Sequence, residues 1–119
     1  MERKLANRKT YTNDSAIEIV HNGTTTEKAK LAMALGFDCP DYGFAQAMCI
    51  QLLQCEEENV RTNAVIGLAH IARRFGKLDK RVLKPYLLRE LKENNSGREL
   101  IEDAVEQINT YLGWNMGRK

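Results

Sequence analysis

Two histidines, three cysteines and sixteen carboxylates are the side chains with which this sequence would build catalysis or a metal site. His70 is the candidate general base, since only histidine changes charge near neutral pH without help. On a helix it shares a flank with Asn63 and Arg74. Local spacing brings no Ser or Cys nucleophile and no carboxylate beside it, so an ordinary surface or inter-helix histidine is the expected role. His21 falls at a predicted helix end, where the backbone dipole favours an imidazolium; that is a structural role. Cys39, Cys49 and Cys55 are odd in number and lack Cys-x-x-Cys spacing, and the histidines lie far apart in sequence. No zinc pattern results, and free thiols are expected. The reading is a protein that is no enzyme and carries no metal or cofactor.

The charged residues are more informative. Asp38 and Asp41 lie at the start of the third predicted helix and Glu56, Glu57 and Glu58 follow it, so both ends of one hairpin layer are acidic. Tyr42 adjoins Asp41 as an aromatic anchor of the kind interfaces favour. These six residues form the candidate partner-binding site. Their order is not that of a calcium loop. The simpler alternative is a pair of solvated turns. Arg73, Arg74, Lys77, Lys80, Arg81 and Lys84 crowd the next connection and form an alternative basic site able to hold phosphates. Phe75 is the one aromatic among them, and its spacing assigns it to the core, so base stacking has no support.

Residues 1–60 carry net −3 and residues 61–119 carry +5, of which 61–92 alone hold +7. The whole-chain +2 is too small for binding driven by net charge. The molecule is a dipole with an acidic front and a basic middle. At 119 residues, with 43% apolar and 29% charged side chains, the chain is long enough for one ordinary core. No stretch is long and apolar enough for a membrane span or a secretory leader. A cytoplasmic protein with reduced thiols is expected.

The elements that position these residues are helical throughout. Residues 1–12 are basic and aperiodic and read as a flexible arm, 13–113 as one helical domain, and 114–119 as a tail. Helix 1 starts among Asn13, Asp14 and Ser15, all good caps, and stops at Asn22-Gly23. Thr24-x-x-Glu27 is a capping box opening helix 2 over 25–35, with Gly36 just past its end. Helix 3, over 41–54, is apolar nearly all round, which predicts an innermost position. Helix 4, over 59–75, repeats Val60, Ala64, Leu68, Ile71 and Phe75 at helical spacing and ends at Gly76. Asp79 caps the next segment, and Pro85 predicts a short turn over 80–84 before the main helix 5. Asn94-Asn95-Ser96-Gly97 reads as a plain loop. Helix 6, over 98–112, turns Leu100, Ile101, Ala104, Val105, Ile108, Tyr111 and Leu112 inward and Asn109 outward. No window alternates with period two, so no sheet is expected.

Helices 4 and 6 superpose at an offset of 40: Val60 on Leu100, Ala64 on Ala104, Val65 on Val105, Leu68 on Ile108. Each follows another apolar helix and a polar turn. Helical pairs repeating at roughly 40–47 residues belong to HEAT or armadillo arrays. Asn59-Val60-Arg61-x-x-Ala64-x-x-x-Leu68 resembles the second helix of a HEAT unit, and Leu87-Leu88-x-x-Leu91-Lys92 resembles the end of a first helix. The resemblance covers about 41–113; helix 6 departs from it with Ile101 where helix 4 has Arg61. It implies an all-α fold of about six helices in stacked antiparallel hairpins, a HEAT/ARM-like α-solenoid, with helix 3 as inner layer and helix 6 as cap. A compact six-helix bundle without repeat ancestry is the alternative.

In size, helical repeat and lack of chemistry the chain also resembles the immunity proteins of bacterial toxin systems, contact-dependent growth inhibition among them. That resemblance implies a non-catalytic protein that binds a cognate toxin domain, often a nuclease, and occludes its active site. Asp41, Glu56, Glu57 and Glu58 would then cover a basic cleft in place of phosphate. A nucleic-acid-binding repeat protein using the 73–84 cluster is the other function considered.

Overall fold

A computed structural model describes residues 11–117; the first ten residues of the arm expected over 1–12 and the last two residues of the tail lie outside the described residues. Thr12 and Ser15 form a reciprocal cap that starts α1 (Asn13–Asn22): each hydroxyl accepts from the other's backbone N–H at 3.0 Å. The start therefore falls one residue before the three caps the sequence offers. The Thr24–Glu27 box forms as expected, with bonds of 3.1 and 2.9 Å, and opens α2 (Thr25–Phe37). Asp41 caps α3 (Tyr42–Leu52) by accepting from the Phe44 N–H at 3.0 Å. Then follow α4 (Glu58–Phe75), α5 (Lys80–Glu93) and α6 (Arg98–Leu112). Gly76 and Gly113 end α4 and α6 in the left-handed conformation, with φ of 70° and 71°. Among the described residues the fold is all-α, with six helices and no strand.

The innermost helix is α4, not α3. Nine of the 18 residues of α4 are buried, against three of the 11 in α3. α4 packs most extensively on α2, then on α6, and also touches α3 and α5. The all-round apolar pattern misplaced α3 because Gly43, Ala47 and Gln51 are exposed while Ala45, Cys49 and Leu52 face the core. α3 is thus a half-buried helix that happens to carry no charge.

α2 and α4 approach unusually closely, and glycine is the reason. A Cβ on Gly36 would lie 2.8 Å from the Gly67 Cα, and one on Gly67 would lie 2.7 Å from the Ala32 carbonyl oxygen. Gly36 therefore does not terminate α2. It lies within the helix, buried, and the chain continues helical through Phe37.

Pro85 likewise does not divide α5, which runs unbroken from Lys80 to Glu93. The bond that Pro85 cannot make is to the Arg81 carbonyl, and both residues are exposed, where water serves instead. On α6, Ile101, Ala104, Val105 and Ile108 face the core as the period predicts. Leu100 and Tyr111 are instead exposed (55% and 43%), whereas Asn109 is buried. Its amide donates to the Met116 carbonyl at 2.9 Å and its Oδ1 accepts from the Met116 N–H at 3.0 Å. This latch turns residues 114–117 back, so Met116 is buried and Trp114 packs on the core.

Candidate functional site

The acidic residues lie in two places. Asp38, Asp41 and Tyr42 stand at the N-terminal end of α3; Glu56, Glu57 and Glu58 stand beyond its C-terminal end. The eleven residues of α3 separate them by about 16 Å. Asp41 is the helix cap already described, and Asp38 is exposed. Tyr42 is half-buried: its hydroxyl donates to the Gln46 Oε1 at 3.2 Å, and its ring lies 5.6 Å from that of Phe75. Burial raises its hydroxyl pKa and the Asp79 charge raises it further, with the Gln46 bond opposing both.

Glu58 has a structural task. Its Oε1 accepts from the Ser96 hydroxyl at 2.7 Å and the Ser96 N–H at 3.0 Å. These bonds, chiefly the hydroxyl's, hold its carboxyl below the usual range, with Arg61 helping. Glu56 and Glu57 are exposed. They rim a polar hollow of about 390 Å³, with Gln51, Gln54 and Cys55 on one side and His21 and Lys28 on the other.

Between Asp41 and Glu56 no charged side chain occurs. Gly43, Ala47 and Gln51, spaced by four, form the outward face of α3, and the exposed Gln54 follows in the turn after the helix. Phe44 and Ile50 flank that face, half-buried. The result is an uncharged strip along one helix with carboxylates at either end. The apolar run that misplaced α3 was the signal for this face.

The basic cluster divides four ways. Arg74 closes the C-terminal end of α2: its Nε donates to the Gly36 carbonyl at 2.8 Å, and its Nη2 donates to the Cys39 and Leu35 carbonyls at 2.8 and 3.1 Å. Arg73 lies against His70, with Nη2 3.1 Å from the imidazole Nδ1. Lys77 sits over the Tyr42 ring at 4.6 Å, so the two charge poles meet at this end of the molecule. Lys80, Arg81 and Lys84 line a separate groove on α5 with Pro85 and Leu88. His70 itself stacks on Phe37, with centroids 4.0 Å apart. Burial first, then Arg73 and Arg74, lowers its pKa. A neutral imidazole accepting from Arg73 satisfies both observations.

A buried polar network escaped the sequence reading. Glu90 is 1% exposed. Its carboxylate takes Arg61 Nε on both oxygens at 3.1 and 3.0 Å, Arg89 on Oε2 at 3.1 and 2.9 Å, and the Asn94 amide on Oε1 at 3.0 Å. Arg61 also donates to the Cys55 and Glu56 carbonyls at 2.9 and 2.7 Å, and Arg89 to the Leu53 carbonyl at 2.6 Å. Asn94 adds a bond to Thr62 at 3.0 Å and accepts from the Gly97 N–H at 2.9 Å. The loop over 94–97 is therefore built into the core rather than plain. One signal existed: Glu90 falls four and three residues along the buried stripe of Leu83 and Leu87.

Among the described residues no group of three or more His, Cys, Asp and Glu side chains is placed to hold a metal ion, and no helix is long and apolar enough to cross a membrane. The chain matches no protein-family model, no curated protein and no solved structure.

Proposed function

We propose that this chain is a non-catalytic protein-binding module, an immunity protein that binds a cognate bacterial toxin domain of the contact-dependent growth inhibition type in the cytoplasm and occludes its active site. One observation carries the reading: the outward face of α3, formed by Gly43, Ala47 and Gln51, and Gln54 in the turn after it are free of charge, with carboxylates at both ends. Protein interfaces have this anatomy, a core depleted of charge inside a polar rim. A half-exposed helix of a monomer ordinarily carries charge on its wet side.

The rim sets the chemistry of the partner. Asp38 and Asp41 at one end, and Glu56 and Glu57 at the other, suit a basic surface such as the cleft of a nuclease. The carboxylates would speed encounter and fix register, while burial of the α3 strip and Tyr42 supplies affinity. Glu58 enters through structure rather than contact, since Ser96 occupies it.

The architecture in this proposal is a HEAT/ARM-like stack of hairpins, α1 with α2, α3 with α4, and α5 with α6. The packing of α4 between α2 and α6 supports it, as does an elongated outline of 45 × 29 × 23 Å. Such stacks hold each helix pair through its neighbours and leave long faces for binding.

The test is co-expression. Nuclease toxin domains of the contact-dependent growth inhibition type are each produced in a sensitive host with and without the chain. The expected result is arrested growth alone, growth restored by the wild type, and failure of Ala47→Arg to restore it while still folding. Restoration by Ala47→Arg equal to wild type contradicts the assignment of the α3 face.

A further inference from the structure

We infer that the outward face of α5 is a second docking surface, for an acidic amphipathic helix of another protein. It shares no residue with the α3 face. Lys80, Arg81 and Lys84 line a groove of about 740 Å³ whose apolar side is Pro85 and Leu88. Leu88 is 37% exposed, an unusual place for a leucine flanked by cations. No carboxylate lines the groove. Of the α5 carboxylates, Glu90 is buried in its arginine pairs and Glu93 is the last residue of the helix. Neither Arg81 nor Lys84 takes part in an ion pair among the described residues, and Lys80 lies over the Trp114 ring at 5.5 Å.

Charge complementarity fixes the sign of the occupant, and the apolar side of the groove fixes its class. A phosphate backbone would use the cations but leave Pro85 and Leu88 uncovered. No aromatic lines the groove to stack a base. A lipid surface needs a broad apolar face on the helix that enters it; here two apolar residues stand among three cations. A helix with leucines along one stripe and glutamates beside it satisfies both features together. Its leucine covers Pro85 and Leu88, and its carboxylates meet Lys80, Arg81 and Lys84.

The probe is a synthetic helix of about 18 residues, leucines on one face and glutamates on the other. It is titrated into isotope-labelled protein while amide shifts are followed. A double-stranded RNA and phosphatidylglycerol vesicles form parallel arms. The expected result is saturable shifts over 80–92 with peptide alone, weakened about tenfold or more by Arg81→Glu with Lys84→Glu and about threefold or more by Leu88→Ser. All three positions are exposed, and melting curves verify that the variants fold. Peptide shifts elsewhere or none, tighter binding of RNA or vesicles, or peptide affinity indifferent to Leu88→Ser each overturn the proposal. None of these variants touches α3, so failure here leaves the α3 test standing, and the converse holds.

Discussion

Gly36 of α2 and Gly67 of α4 meet backbone against backbone, so close that a methyl on Gly36 would lie 2.8 Å from the Gly67 Cα and 2.9 Å from its carbonyl oxygen. Those atoms cannot swing aside as a side-chain end would. Gly36→Ala is predicted to destabilise the fold by about 1–3 kcal/mol, the overpacking cost outweighing the better helix propensity of alanine. Gly43 is the control. It is exposed on α3, and a Cβ there meets only the Asp41 Oδ1 at 3.6 Å. Gly43→Ala should therefore stabilise by up to about 1 kcal/mol. Urea unfolding of the two variants measures both, and equal effects would refute the close approach.

Glu90 ties α5 to α4 and to the turn after α3. With its carboxylate removed, the Arg61 guanidinium is left at 15% exposure without its main counter-charge. Loss of one member of a fully buried pair costs about 3–5 kcal/mol, and partial exposure of both arginines discounts this to about 2–3. Glu90→Gln is expected to lower stability by that amount without changing the helix content seen by circular dichroism. A loss below about 0.5 kcal/mol would mean that the network is solvent-screened.

The Glu58–Ser96 contact makes stability depend on acid. The folded carboxyl sits below its ordinary value, held there first by the Ser96 hydroxyl and then by the Ser96 N–H. The unfolded carboxyl titrates near about 4.3. The contact thus stabilises the fold at all pH above that value and loses its contribution as pH falls through the folded one. Glu58→Gln should be less stable than wild type near about pH 7, with the gap closing towards about pH 3. A gap constant across that range contradicts the assignment.

Cys49 is wholly buried, and burial raises its thiol pKa to about 12. Cys39 and Cys55 are half-buried. A thiol-disulfide reagent at neutral pH should modify those two in the native protein and reach Cys49 only on unfolding. Fast release from all three sites contradicts the packing of α3 against α4.

Where the sequence was legible, local chemistry carried the information. Thr24 with Glu27, Asp79, Gly76 and Gly113 act at the helix ends where their types place them. Composite features were not legible. Gly36 is both a common helix terminator and a means of close packing, and only the partner Gly67 decides between them. Uncharged α3 has the same pattern whether its outer side meets the protein's own core or a partner. Arg74, one of six clustered cations by sequence, is committed to three backbone carbonyls from α2 and the turn after it, a relation across more than thirty residues that no local spacing encodes. Asn109 reads as a wet-face residue until Met116 folds back on it.

The measurement closest to the central claim is cross-saturation NMR on the labelled chain bound to the toxin domain it neutralises in co-expression, irradiating the partner. Saturation centred on the amides of Gly43, Ala47, Gln51 and Gln54, fading toward Asp41 and Glu57, is the predicted result. Saturation confined to other helices, with those four amides untouched in a saturated complex, would contradict it.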